Sequence, residues 1–155
     1  MNPVNDAPIF GSSSNPSINP GFNLTLPNPA TDVENDTLTY SVLSGLPAGA
    51  TFNPGTGTIT WRPTIAQAGQ SYPIVTKVTD NGTNLLASTN TNTIAVAAVQ
   101  TPSVSVSWSN MMVGSNRTSQ VSLSVQGQIG PDYILMASTN LTIWTAISTN
   151  TPGVS

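Results

Sequence analysis

The chain has 155 residues, 37% of them hydrophobic and only 6% charged, with a net charge of −3, against about 25% charged residues in ordinary soluble domains. It contains no His and no Cys, which removes the commonest general base, the thiolate nucleophile and any disulfide brace. Arg62, Lys77 and Arg117 are its only cations, so no basic surface awaits a nucleic acid, and no run of about 18 apolar residues predicts a membrane span.

Residues 1–10 read as a linker feeding a first strand, because Pro3 and Pro8 forbid helix and hold their neighbours extended. Residues 11–20, GSSSNPSINP, are turn chemistry. The stretch FNLTLP then alternates, with Phe22, Leu24 and Leu26 on one face of a half-buried strand. Next comes ATDVENDTLTY, where Asp32, Glu34 and Asp36 crowd three of the six acidic residues into five positions. The following strand buries Leu38, Tyr40 and Val42.

Residues 45–64 predict a bend at Gly45, Pro47 and Gly49, then a β-hairpin of residues 50–52 and 58–61 around the turn NPGTG. A single helical turn fits Ile65 to Ala68. The longest strand carries Tyr72, Ile74, Thr76 and Val78 on one face and ends at Asp80, before Asn81-Gly82. A last strand buries Ile94, Val96 and Ala98. About seven short strands without a periodic helix predict a Greek-key sandwich over residues 11–100.

The pattern restarts at Gln100-Thr101-Pro102, so residues 101–155 form a second β-sandwich module. Its strands are 103–108, 120–125, 133–138 and 142–147. Four strands leave a sandwich unclosed, with an open edge and an uncovered core.

These motifs carry two resemblances. VNDAPIF, ATDVENDTLTYSV, LPAGATFNPGTGTITWRPT and KVTDNG, in this order across residues 3–99, resemble the cadherin-like and immunoglobulin-like repeats of large bacterial surface and secreted proteins. GQIGPDYILMASTNLTIWTAISTNT, within residues 120–150, is similar to part of a module near the C-terminus of secreted proteins of environmental bacteria, whose closing strands this sequence lacks. The resemblance implies tandem all-β immunoglobulin/cadherin-like Greek-key sandwiches, the second incomplete, without catalysis. It also implies an extracellular or cell-surface location, with copies of the chain or neighbouring modules as partners. Two readings of the missing strands stand side by side: the sequence stops before the module does, or a strand supplied by another subunit completes it.

The same resemblance maps a calcium site onto Asn5 and Asp6 in the linker, Asp32 and Glu34 in the acidic turn, and Asp80, since calcium takes six to eight hard oxygen ligands. In the competing reading Asp32 and Asp80 satisfy backbone N–H groups in their turns. Further alternatives are an isopeptide bond from Lys77 to an Asn, and a glycan-binding surface of Trp61, Trp108, Trp144, Tyr40, Tyr72 and Tyr133. Each aromatic residue sits in an alternating strand, which predicts core packing instead. A carbohydrate-binding accessory module of a secreted hydrolase and an inert spacer are thus the rival functions.

Overall fold

The structure, a computed structural model, describes residues 4–113, 116–127 and 133–150. The first strands are β1 (Ile9–Phe10), β2 (Ser17–Ile18), β3 (Leu24–Leu26), β4 (Ala30–Thr31) and β5 (Thr39–Ser44). The hairpin β6 (Thr51–Phe52) and β7 (Ile59–Trp61) follows, then a 3₁₀ turn at Ile65–Gln67, then the long pair β8 (Ser71–Thr79) and β9 (Ala87–Val96).

Two layers result. One is a four-stranded sheet in the order β2-β9-β8-β5, with β2 parallel to β9 and the other pairs antiparallel. The other contains β3-β7-β6 and the pair β1-β4. β3 and β4 are consecutive pieces of one extended segment, broken where Pro27 and Pro29 remove two ladder donors. Within each layer non-consecutive strands pair, β3 with β7 and β2 with β9, so the chain crosses between layers as in a Greek key.

Alternation decides what lies between the layers. Leu26, Ile59 and Trp61 from one layer meet Ile74, Ile94 and Val96 from the other in a buried cluster. Tyr72 closes it with its ring 5.0 Å from Trp61 and 75° to it, an edge-to-face pair. Of the expected inward face of β8, Ile74, Thr76 and Val78 are buried and Tyr72, at the start of the strand, is half-buried. Ala98 is exposed, contrary to expectation, because β9 ends at Val96.

Polar groups also enter this core. Asn28 and Asn92 are fully buried, and Asn90 joins them by donating to Asn28 Oδ1 at 3.5 Å and Asn92 Oδ1 at 3.0 Å. Asn28 Nδ2 donates to Gly57 O and Asn92 Nδ2 to Ser14 O, so each buried amide has partners. Lys77 alternates with buried Thr76 and Val78 and lies in register with Ser41 and Thr89. It therefore lies on the opposite face of β8 from the buried asparagines.

Beyond residue 100 lie two hairpins, β10 (Ser103–Val113) with β11 (Asn116–Gln126), and β12 (Tyr133–Ala137) with β13 (Thr145–Asn150). Each is a two-stranded sheet that pairs with no other described strand. On the first, Val104 opposes Val125 and Val106 opposes Leu123, and all four side chains are exposed. The core packing expected of Trp108 and Trp144 is not found: they are 76% and 51% exposed. A single hairpin has no opposing layer, so its apolar face has nothing to pack on.

Candidate functional site: an acidic pole

The topology sets three loops side by side at one end of the first sandwich. β8 runs toward this pole and β9 returns from it, so the loop from Asp80 to Leu86 caps it. The acidic turn enters β5 beside it, and the segment before β1 completes it. Arg62 lies toward the opposite end, where its Nε donates to Gly21 O at 2.6 Å.

Asp80 organises its loop from a buried position, 4% exposed. Its Oδ1 accepts from Gly82 N–H at 3.2 Å and Leu86 N–H at 3.0 Å, while its own N–H donates to Leu86 O at 3.0 Å. The loop turns through Asn84 and Leu85, both at positive φ (73° and 48°). Its second carboxylate oxygen, Oδ2, accepts from Asn5 Nδ2 at 3.2 Å, and that amide also donates to Thr83 O at 2.9 Å. Asn5 therefore clamps the entering segment to the loop.

Asp32 does the same work in the acidic turn. Its Oδ1 accepts from Glu34 N–H at 3.0 Å and Asp36 N–H at 3.1 Å. Asn35, at φ 62°, a left-handed conformation that Asn tolerates, reverses the chain so that Asp36 returns to Asp32. The turn-stabilising role expected for Asp32 and Asp80 is thus present, but it engages one oxygen of each. Asp32 Oδ2 and Asn5 Oδ1 are buried and have no hydrogen-bond partner.

The remaining residues lie around them. Glu34 Oε2 accepts from Asp6 N–H at 3.2 Å, so Asp6 contributes its backbone, and its side chain is exposed. Thr37 N–H donates to Asn81 Oδ1 at 2.7 Å, which ties the acidic turn to the Asp80 loop. A Cβ on Gly82 would collide with Asn5 Oδ1 and Asp36 Oδ2, so these oxygens occupy the space a side chain would take. Desolvation, then the charges of Asp32, Asp80 and Glu34, raise the Asp36 carboxyl above the ordinary aspartate range.

Asp36, Thr37, Asn81 and Gly82 were outside the site assigned from sequence. The signal for Asp36 was the Asp-x-Glu-x-Asp spacing. Strand-like alternation would have carried it away from Asp32, and only the left-handed Asn35 brings it back.

Among the described residues no three acidic side chains form a group set to hold a metal by themselves. Hard oxygens from three loops nevertheless converge, two of them buried and unpartnered, and calcium accepts amide and backbone oxygens as well as carboxylates. The donor chemistry fits calcium in that respect. Asn5, Asp32, Asp36 and Asp80 are the residues that would hold it, with Glu34 beside them.

No curated protein matches the sequence. Among solved structures, the chain is similar to human CDH23 EC21-23 (TM-score 0.52, 18% identity, 78% of this chain and 48% of that one). It is also similar to the protocadherin GammaB4 extracellular domain (TM-score 0.51, 18% identity, 65% and 19%). A third is a nucleoside hydrolase-related hypothetical protein from Saccharophagus degradans associated with carbohydrate metabolism (TM-score 0.50, 18% identity, 60% and 26%). The chain spans less than half the length of each of these three, and at this identity the likeness is one of fold. The He_PIG family model, described as Putative Ig domain, matches residues 7–97, the whole of the first sandwich from β1 to β9, and the chain belongs to that family.

Proposed function

We propose that the protein is a non-catalytic structural or adhesive segment of an extracellular surface protein or fibre, built as a module spanning residues 11–100 followed by a second spanning 101–155. The observation that carries this reading is the acidic pole. Its polar groups clamp the segment before β1 to two loops and tie those loops to each other, which is the work of a junction that fixes how one module enters another. The immunoglobulin-domain family and the cadherin-like fold support this reading.

Calcium at the pole would rigidify that junction by drawing Asp32, Asp36 and Asp80 together against their mutual repulsion. A ligand that binds only the folded state at 100 times its Kd adds about 2.7 kcal/mol of stability. Thermal melting in saturating calcium and in chelator checks this: a shift of several degrees supports the ion, and coincident melts remove it.

The open edges and exposed apolar faces of the two hairpins are the surfaces that strand donation between subunits would use. Electron microscopy of untreated material tests assembly. Fibres support it, whereas a monodisperse monomer at high concentration overturns it.

A second reading, glycan binding, is favoured by one observation, the exposure of Trp108 and Trp144, because exposed indoles stack on sugar rings. Polysaccharide-dependent retardation in native gels, abolished by Trp108→Ala, would support it over assembly.

A further inference from the structure

We propose that Asn81 is a deamidation site whose conversion the closed acidic pole restrains, and that release of the Asn5 clamp exposes it. This goes beyond the junction reading and does not depend on calcium.

The pair Asn81-Gly82 has the chemistry for it. Glycine has no Cβ to obstruct ring closure, so the Gly82 backbone nitrogen is well suited to attack the Asn81 side-chain carbonyl carbon. The nitrogen gives up its proton as the new N–Cγ bond forms, and the Cγ–Nδ2 bond breaks to release ammonia. One water then opens the succinimide at either carbonyl, leaving Asp or isoAsp. The balance is amide plus water giving acid plus ammonia, with no oxidant or cofactor. Glycine at 82 is enforced by packing, because any Cβ there would collide with Asn5 Oδ1 and Asp36 Oδ2. A safer residue cannot simply replace it.

Three features of the fold oppose the reaction. Gly82 N–H is held by Asp80 Oδ1 at 3.2 Å, so the nucleophile is engaged elsewhere. Asn81 Oδ1 is held by Thr37 N–H at 2.7 Å, which fixes the side chain and limits the rotation that ring closure requires. The attack also builds negative charge on a nitrogen and an oxygen beside the carboxylates of Asp36 and Asp80, a like-charge cost that the unfolded chain largely escapes. Asn81 is exposed, so water has access once the restraints open. The Asn5 amide covers Gly82 and donates to Asp80 Oδ2 and Thr83 O, which makes it the group whose loss loosens the loop. Conversion would add a further carboxylate to the cluster, and its isoAsp form would lengthen the backbone in a loop already turning through two left-handed residues.

The test is peptide mapping by mass spectrometry of the full chain, held at mildly alkaline pH with samples over time, in native buffer and in concentrated urea. The expected result is that Asn81 converts about tenfold more slowly in the native protein than in the urea-unfolded chain, the behaviour of a group reached through local opening. Asn5→Ala should recover much of that factor while other Asn sites keep their native rates. Equal rates in native and unfolded wild type, or an Asn5→Ala protein that folds and converts at the native rate, would overturn the proposal. Should Asn5→Ala lose its cooperative melt, Asn5→Leu, which removes the donor and adds no charge, takes its place and is expected to accelerate conversion; an unchanged rate counts against the gate.

Discussion

At the scale of single residues the pole depends on Asp80 more than on any other side chain. It is buried, it closes its own loop through two backbone N–H groups, and it receives Asn5. Removing a buried acceptor strands its donors, at about 1–3 kcal/mol for each unsatisfied group. Asp80→Ala should therefore destabilise the protein by about 2–4 kcal/mol in denaturant titration, and Asp80→Asn, which retains one acceptor oxygen, by less. Asp36 behaves in the opposite sense. Its folded carboxyl is raised by desolvation and by Asp32, Asp80 and Glu34, so the native state holds its proton more tightly than the unfolded state does. Stability then falls as pH rises through the window from the ordinary aspartate range to the raised folded value. In chelator, Asp36→Asn should stabilise the protein at neutral pH and lose that advantage below the window, read as converging denaturation midpoints.

At the scale of elements, glycines mark where strands meet, and not all of them matter equally. Gly45 lies at φ 83°, just after β5, and an added Cβ would collide with the carbonyl oxygen of Pro73 in β8. Gly49, at φ 82°, has open space around its Cβ position. Gly45→Ala should cost about 3 kcal/mol, combining backbone strain with a forced separation of β5 from β8, whereas Gly49→Ala should cost about 1–2 kcal/mol of strain alone. A pair of thermal melts distinguishes them.

The same contrast explains what the sequence made legible. Period-two alternation located β8, β9 and the β6–β7 hairpin because one face of each had to be buried, and Ile74, Val78, Ile59 and Trp61 obey it. The acidic turn was legible as a cluster of carboxylates. That each carboxylate would divide its oxygens, one to the turn and one to the pole, was not, because it depends on Asn35 adopting positive φ and on Asn5 arriving from a segment more than 70 residues away from Asp80. Alternation misled for Trp108, since it reports amphipathic strands and says nothing about whether a second layer is there to cover them, and for Trp144 because the strand expected over 142–147 forms at Thr145–Asn150 and leaves Trp144 outside it.

At the scale of the whole molecule the question is whether residues beyond 100 add to the stability of the first sandwich. The buried cluster draws every member from residues 26–96, and the hydrophobics packed against it from residues 18–72, so a chain ending at Gln100 should keep the entire core. Its melt should be cooperative and its midpoint should match that of the full chain within a few degrees, as for a domain with its own core. A large drop would mean that the hairpins brace the sandwich. Tryptophan emission supplies an independent reading, because Trp61, 3% exposed, is then the only indole. The truncated chain should emit at shorter wavelength than the full chain and resist iodide quenching. In the full chain Trp108 and Trp144 should be quenched while it is monomeric. If subunits assemble through the apolar hairpin faces, that quenching should be lost as concentration rises, with no change in the Trp61 signal, so exposure at the two ends of the molecule separates folding of the module from its assembly.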